Sequence, residues 1–211
     1  MNGANGKTWH GAAMWSVMSG KLKGIPALNT SPLVNKFCLA MVKAKRAACA
    51  FCYSVAMLQS HRRNCGPKFA WNGEFLAERV HPGRYLPRPP AALYIRFHAH
   101  GELINTNHAR NFLKICDLAP LTTFTLWTKR PALVNAAIKD HGGKPSNLIL
   151  IFSNDQEFNK AAALPPGFDK TFNNQTELNK GAASNCFGAC LDCLKCYTLT
   201  DTTRHIFEVL K

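Results

Sequence analysis

The sequence predicts an α/β protein: an open, partial (β/α) barrel with a parallel sheet, flanked by cysteine-rich N- and C-terminal segments. Three observations carry this. Strand-like apolar runs recur roughly every 25 residues through the middle of the chain. Each pair of runs is separated by a stretch with helical periodicity. Glycine and proline punctuate the joins. Strand–helix–strand alternation gives parallel strands linked by right-handed crossovers. Three or four such units are too few to close an eight-unit barrel.

In chain order, residues 1–37 read as loops with one short strand. Residues 38–59 read as helix interrupted at its cysteines, and 82–90 as a Pro/Arg/Gly-rich connector. The first core strand is 92–98 (ALYIRFH). Thr106 is placed to cap a helix with the stripe Ala109, Phe112, Leu113 and Cys116, and Pro120 lies just beyond it. The second strand is 121–127 (LTTFTLW). Pro131 opens a second helix with Leu133, Val134, Ala137 and Ile138 on its apolar face, closed by Gly142 and Gly143. Residues 147–153 (NLILIFS) form a continuous apolar strand of the type buried on both faces. A weaker strand is expected at 168–172. The 211 residues suit a single domain, 1–211. Within it, 1–90 is a basic cysteine-containing segment, 91–175 the β/α core and 176–211 a cysteine-rich tail.

Composition narrows the function classes. At 46% hydrophobic and 18% charged the chain is not disordered. No apolar run reaches the roughly 18 residues of a membrane span, and no signal peptide is legible, so a cytoplasmic protein without a membrane partner is expected, in the host cell if viral. The oligomeric state is not legible. The net charge of +14 is uneven: residues 1–73 hold ten Lys or Arg and no Asp or Glu. Such polarity calls for nucleic acid or another anionic partner. Trp9, Trp15, Phe37, Phe51 and Tyr53 are interleaved as stacking groups.

Nine cysteines cannot all pair, and without a secretory leader they point to metal or redox chemistry. Cys186-x3-Cys190-x2-Cys193-x2-Cys196 places four thiols in eleven residues, with Gly188 supplying backbone freedom. A single dense run suits an iron–sulfur cluster, [4Fe-4S] in type, better than the two separated pairs usual for zinc, the rival metal. Cys38, Cys49 and Cys52 form a second group, whose three thiolates on a four-iron cluster would leave one iron open. The two groups could also share one cluster. Cys116 lies on a helical apolar face and reads as core. Cys65 sits in a loop.

The string Cys49-Ala50-Phe51-Cys52-Tyr53 resembles the end of the radical S-adenosylmethionine (SAM) motif, Cys-x3-Cys-x-aromatic-Cys. Gly101 and Glu102 are similar to the Gly-Gly-Glu element that holds the SAM amino group in that family. The resemblance spans about residues 38–155 and implies a partial barrel, a [4Fe-4S] cluster on Cys38, Cys49 and Cys52, and SAM as cofactor. The chain departs from the pattern at Lys45, where the first cysteine would stand, and at His100, where the first glycine would stand. It also resembles small bacteriophage cysteine-cluster proteins with Cys-x2-Cys-Tyr followed by Thr-Lys-Arg-Pro, here residues 128–131.

Other strand-end residues are polar. His98 and His100 alternate and so are expected on one face, while Lys129 and Arg130 could bind an anion. Ser153 and Asn154 close the third strand. Phosphate loops, dinucleotide glycines, HExxH and GxSxG are absent. The leading expectation is an iron–sulfur protein on a radical SAM-like scaffold, with redox or radical chemistry. The alternative is a metal-stapled nucleic-acid-binding module without catalysis.

Overall fold

The structure, a computed structural model, describes residues 14–155, 158–176, 184–186 and 188–209. Trp9 lies outside them. Seven strands form one sheet in chain order: β1 (Trp15–Ser16), β2 (Ala27–Leu28), β3 (Tyr94–Phe97), β4 (Thr123–Thr128), β5 (Leu148–Ser153), β6 (Lys170–Gln175) and β7 (His205–Val209). β1 pairs antiparallel with β2, and every later neighbour pairs in parallel. The sheet is open, as expected, with β1 and β7 at its edges.

Three of these strands escape the periodicity reading. β1 and β2 have two residues each, too few to show a pattern. β7 follows the cysteine run and has its own short alternation. β6 starts two residues later than expected. Phe168 belongs to the core under the helices, and Thr171, Asn173 and Gln175 are buried. Polar residues can line this strand because they satisfy one another: Asn173 Nδ2 donates to Thr171 Oγ1 at 2.9 Å and to the Ile206 carbonyl at 3.3 Å.

The β2–β3 crossover carries α1 (Lys36–Lys43), α2 (Tyr53–Gln59) and α3 (Gly66–Glu78). The expected break in helix 38–59 is the 3₁₀ turn Ala47–Phe51. α3 was hidden in the sequence by Gly66, Pro67 and Gly73; Pro67 stands in its first turn, where a missing N–H costs nothing. α4 (Thr106–Asp117) and α5 (Pro131–His141) match expectation, except that Asn105 rather than Thr106 is the cap, accepting from His108 N at 3.0 Å. Among the described residues no helix is long and apolar enough to cross a membrane.

The sheet has two unlike faces. Ile95 and Phe97, Phe124 and Leu126, and Leu148 and Leu150 share a core with Phe112, Ile115, Val134 and Ala137 of α4 and α5. Phe97 stacks on Phe112 at 4.1 Å and lies 5.2 Å from Phe124. Each such buried side chain contributes about 1.5–3 kcal/mol, so this face holds the fold together. Cys116 is fully buried in it, as expected. On the alternate positions Trp127, Ile149, Ile151, Phe172 and Ile206 form a second cluster, against which Cys186 and Cys196 pack.

The tail is tied down by a buried cation. Lys170 is 2% exposed, and its ammonium donates to the Lys195 carbonyl at 2.6 Å and the Asp201 carbonyl at 3.2 Å. Asn185 joins the tail to β7, accepting from Phe207 N at 2.9 Å and donating to the His205 carbonyl at 2.9 Å.

Candidate metal centre and ligand cavity

A cavity of about 160 Å³ opens at the carboxyl ends of β3, β4 and β5. Cys38, Cys49 and Cys52 all line it, together with Gly101, Glu102 and Lys129. This is where ligands sit on parallel sheets. Lys45 is exposed and is not part of the lining.

Local chemistry explains the convergence. Asn35 caps α1: its Oδ1 accepts from Phe37 N at 3.0 Å and Cys38 N at 3.4 Å. Its Nδ2 donates to the Glu102 carbonyl at 2.9 Å, so one buried amide fixes Cys38 relative to the β3 end. Cys49 lies in the 3₁₀ turn, its N–H donating to the Arg46 carbonyl at 2.8 Å. The Cys52 carbonyl accepts from Val55 N and Ala56 N, which starts α2.

Glu102 is 3% exposed and organises the floor. Its carboxylate accepts from Leu103 N at 2.8 Å, from Lys129 N at 2.7 Å and from the Thr128 hydroxyl. A carboxylate offers about four acceptor positions, so three are spent within the protein. Burial pushes its pKa up, against the Lys129 charge and these bonds. Gly101 has φ +89, and a Cβ there would lie 2.3 Å from the Thr30 carbonyl oxygen. The 98–102 turn is clamped to the end of β2: Thr30 N donates to the His100 carbonyl at 3.1 Å, and His100 N to Asn29 Oδ1 at 3.0 Å.

The expectation that His98 and His100 share a face is corrected. β3 ends at Phe97 and His98 has φ 60, so strand alternation stops before it. His98 lines the cavity and packs on His108 and Phe112. His100 is held between Tyr53 and Phe69, with Ser54 Oγ 2.8 Å from its Nδ1. Arg130 is spent on structure, its guanidinium donating to the Leu103 and Ile104 carbonyls at 3.0 and 2.8 Å and lying over Phe37. Lys129 keeps its ammonium at the cavity, donating to Ser153 Oγ at 3.0 Å. Cys65 packs beside Met57, Leu58 and Phe69 and does not line the cavity.

Burial, reinforced by the Glu102 charge and opposed by Lys129, pushes the Cys38 thiol up to about 12, and burial raises Cys49. These thiols stay protonated until a metal displaces the proton. Burial, with Arg96 adding to it, depresses His100 to about 4, and burial depresses His98 to about 3. A histidine with a lowered folded pKa stabilises above its unfolded pKa of about 6.5 and loses that contribution as pH falls, because only the unfolded chain takes up the proton. Folding stability should therefore drop by up to about 1.4 kcal/mol per pH unit per histidine between pH 6.5 and 4. Urea unfolding near pH 7 and near pH 5 checks this; His100→Gln should lose less on acidification than the parent, and equal losses would contradict the assignment.

The four C-terminal cysteines lie elsewhere, and none of them lines the cavity. Cys190 and Cys193 bound the four-residue α6, Gly188 precedes it at φ 63, and Cys196 packs with Cys186 on the second sheet face. Burial raises Cys196 and Cys190, opposed in both by Arg96, and pushes Cys186 up to about 11. Arg96 stands between the two groups: it lines the cavity, and its guanidinium lies 3.9 Å over the Trp127 ring, which touches both environments. Among the described residues no three His, Cys, Asp or Glu side chains are gathered tightly enough for a single metal ion. Sequence reasoning missed Asn29, Thr30 and Asn35. Their only signal is polarity just beyond a strand end or before a helix.

Fold and site together define a class: an open, mostly parallel α/β sheet protein with a cysteine-lined cavity at its carboxyl edge. The sequence model of the family described as Gene product 88 matches residues 7–180. The chain belongs to that family, which is of bacteriophage type. The matched span includes Cys38, Cys49, Cys52, Gly101 and Glu102 and ends before Cys186. No curated protein and no solved structure matches the chain.

Proposed function

We propose that Cys38, Cys49 and Cys52 hold a [4Fe-4S] cluster with one iron left for an exogenous ligand, SAM being the ligand class. Cys186, Cys190, Cys193 and Cys196 hold a separate centre with a full set of four thiolates. One observation carries the reading: three cysteines spread over fifteen positions of the chain line a single cavity at the carboxyl edge of a parallel sheet. The donor chemistry fits. Each iron of a cluster takes its own thiolate, whereas one zinc ion needs four donors drawn to about 2.3 Å. The cluster when bound supplies one-electron reduction of its ligand.

The chain's own residues do the rest. Lys129 offsets thiolate charge at the cavity and can face a ligand carboxylate. Glu102, with one acceptor position left, can take a hydrogen bond from a ligand ammonium while it anchors the β4–α5 junction. Trp127 and Phe37 limit water on the cavity wall.

Anaerobic purification should give a brown protein containing iron and acid-labile sulfide. Addition of SAM to the reduced protein should change its electron paramagnetic resonance spectrum and release 5′-deoxyadenosine. A colourless protein with stoichiometric zinc would overturn the reading. An iron protein whose spectrum ignores SAM would leave the cluster and remove SAM as ligand.

A further inference from the structure

We infer that the surface of residues 36–63 binds single-stranded nucleic acid and delivers it to the cysteine-lined cavity, which makes a nucleic acid the substrate class of that site. The inference rests on the proposed reading of the cavity as the reactive centre.

The charge is concentrated where the cavity is built. Lys36, Lys43, Lys45, Arg46, Arg62 and Arg63 are all exposed. Among the described residues none of the six forms an ion pair, and no acidic residue occurs before Glu74. Six uncompensated cations on α1, the link from α1 to the 3₁₀ turn and the α2–α3 link form a strongly positive field. The other side of the same segment lines the cavity through Cys38, Val42, Cys49, Cys52 and Ser54. A polyanion lying on the cations is therefore held beside the cavity.

Two aromatics select the kind of polyanion. Phe51 is 78% exposed and Tyr53 66%, and they flank Cys52. Tyr53 is not a loose side chain. It stacks on His100 at 5.9 Å, and His100 stacks on Phe69 at 5.8 Å, so the ring is the outer tier of a three-ring stack. A fixed, exposed ring beside phosphate-binding cations is a platform for an unpaired base. An acidic peptide would give such rings nothing flat to stack on. A membrane would call for a continuous apolar helix face, whereas these cations sit on three separate short elements.

The test is fluorescence anisotropy of a labelled mixed-sequence 12-nucleotide single strand, as DNA and as RNA, with the full chain purified anaerobically. Binding of either strand is expected at low salt, with log K falling against log salt with a slope of up to about 4. Phe51→Ala and Tyr53→Ala should each weaken binding about tenfold. The combined Lys45→Glu, Arg46→Glu, Arg62→Glu, Arg63→Glu variant should lose at least about a hundredfold, whereas Lys139→Glu, on α5, should change little. Iron content and circular dichroism of each variant are read in parallel, so loss of binding with both retained locates the effect on this surface. Full retention of iron with unchanged binding in the Cys49→Ser protein would count against the cavity reading alone. No binding at low salt, binding indifferent to these substitutions, or equal capture by vesicles of phosphatidylserine and phosphatidylcholine would overturn the inference.

Discussion

Replacing Cys49 or Cys52 by serine should remove about half of the iron, as expected for loss of one of two four-iron centres, and leave the rest bound. Serine in place of Cys190, Cys193 or Cys196 should remove the other half. The expectation follows from placement: the cavity is lined by Cys38, Cys49 and Cys52 and by none of the tail cysteines. The tail has its own supports, from buried Lys170 and from Asn185. Iron and sulfide analysis of each variant, with difference spectra against the parent, separates the two populations. If one substitution in either group empties both sites, the seven cysteines serve a single centre. Metal retained in every variant would remove the cysteines as ligands.

Among the described glycines, Gly101→Ala should be the most damaging alanine substitution. At φ +89 any side chain is strained by about 1–2 kcal/mol. The new carbon would also lie 2.3 Å from both the carbonyl oxygen and the hydroxyl of Thr30, so the 98–102 turn must leave the β2 end at a further cost of about 1–3 kcal/mol. Gly142→Ala is the natural comparison. It shares a φ of +87 but faces open space, so it should show the backbone cost alone. Urea midpoints of the two variants check the difference. Because Asn35 donates to the Glu102 carbonyl and caps the helix that carries Cys38, Gly101→Ala should also lower cavity iron, whereas Gly142→Ala should not. Equal midpoints would show that Thr30 yields freely.

The core of the fold was legible because its signals are local. The runs at 121–127 and 147–153 became β4 and β5 within two residues, and the stripe Ala109, Phe112, Leu113, Cys116 lies in the core. β1 and β2 were not, because two-residue strands are stabilised by pairing rather than pattern. The cysteine groups were legible as spacings, yet their separation was not: whether Cys52 meets Cys190 depends on crossover paths that no local pattern records. The Asn35–Glu102 tie joins positions 67 apart, and the roles of Asn29 and Thr30 depend on the same long-range closure. His98 shows the converse failure, since alternation was extended to His100, past His98, where the backbone turns left-handed.

Cys186 and Cys196 pack on the sheet face bearing Trp127, Ile149 and Ile151, and they follow strands β2 to β6 in the chain. Domains emerge from the ribosome N-terminus first at roughly 5–20 residues per second. Cys38, Cys49, Cys52 and strands β2 to β5 are thus synthesised before Cys186 and Cys196, and during that interval the apolar sheet face lacks their cover. Under the proposed reading, the cavity thiols are therefore available to metal on a nascent chain before those of Cys186, Cys190, Cys193 and Cys196. The yield of folded protein then depends on how quickly the segment bearing Cys186 and Cys196 closes over that face.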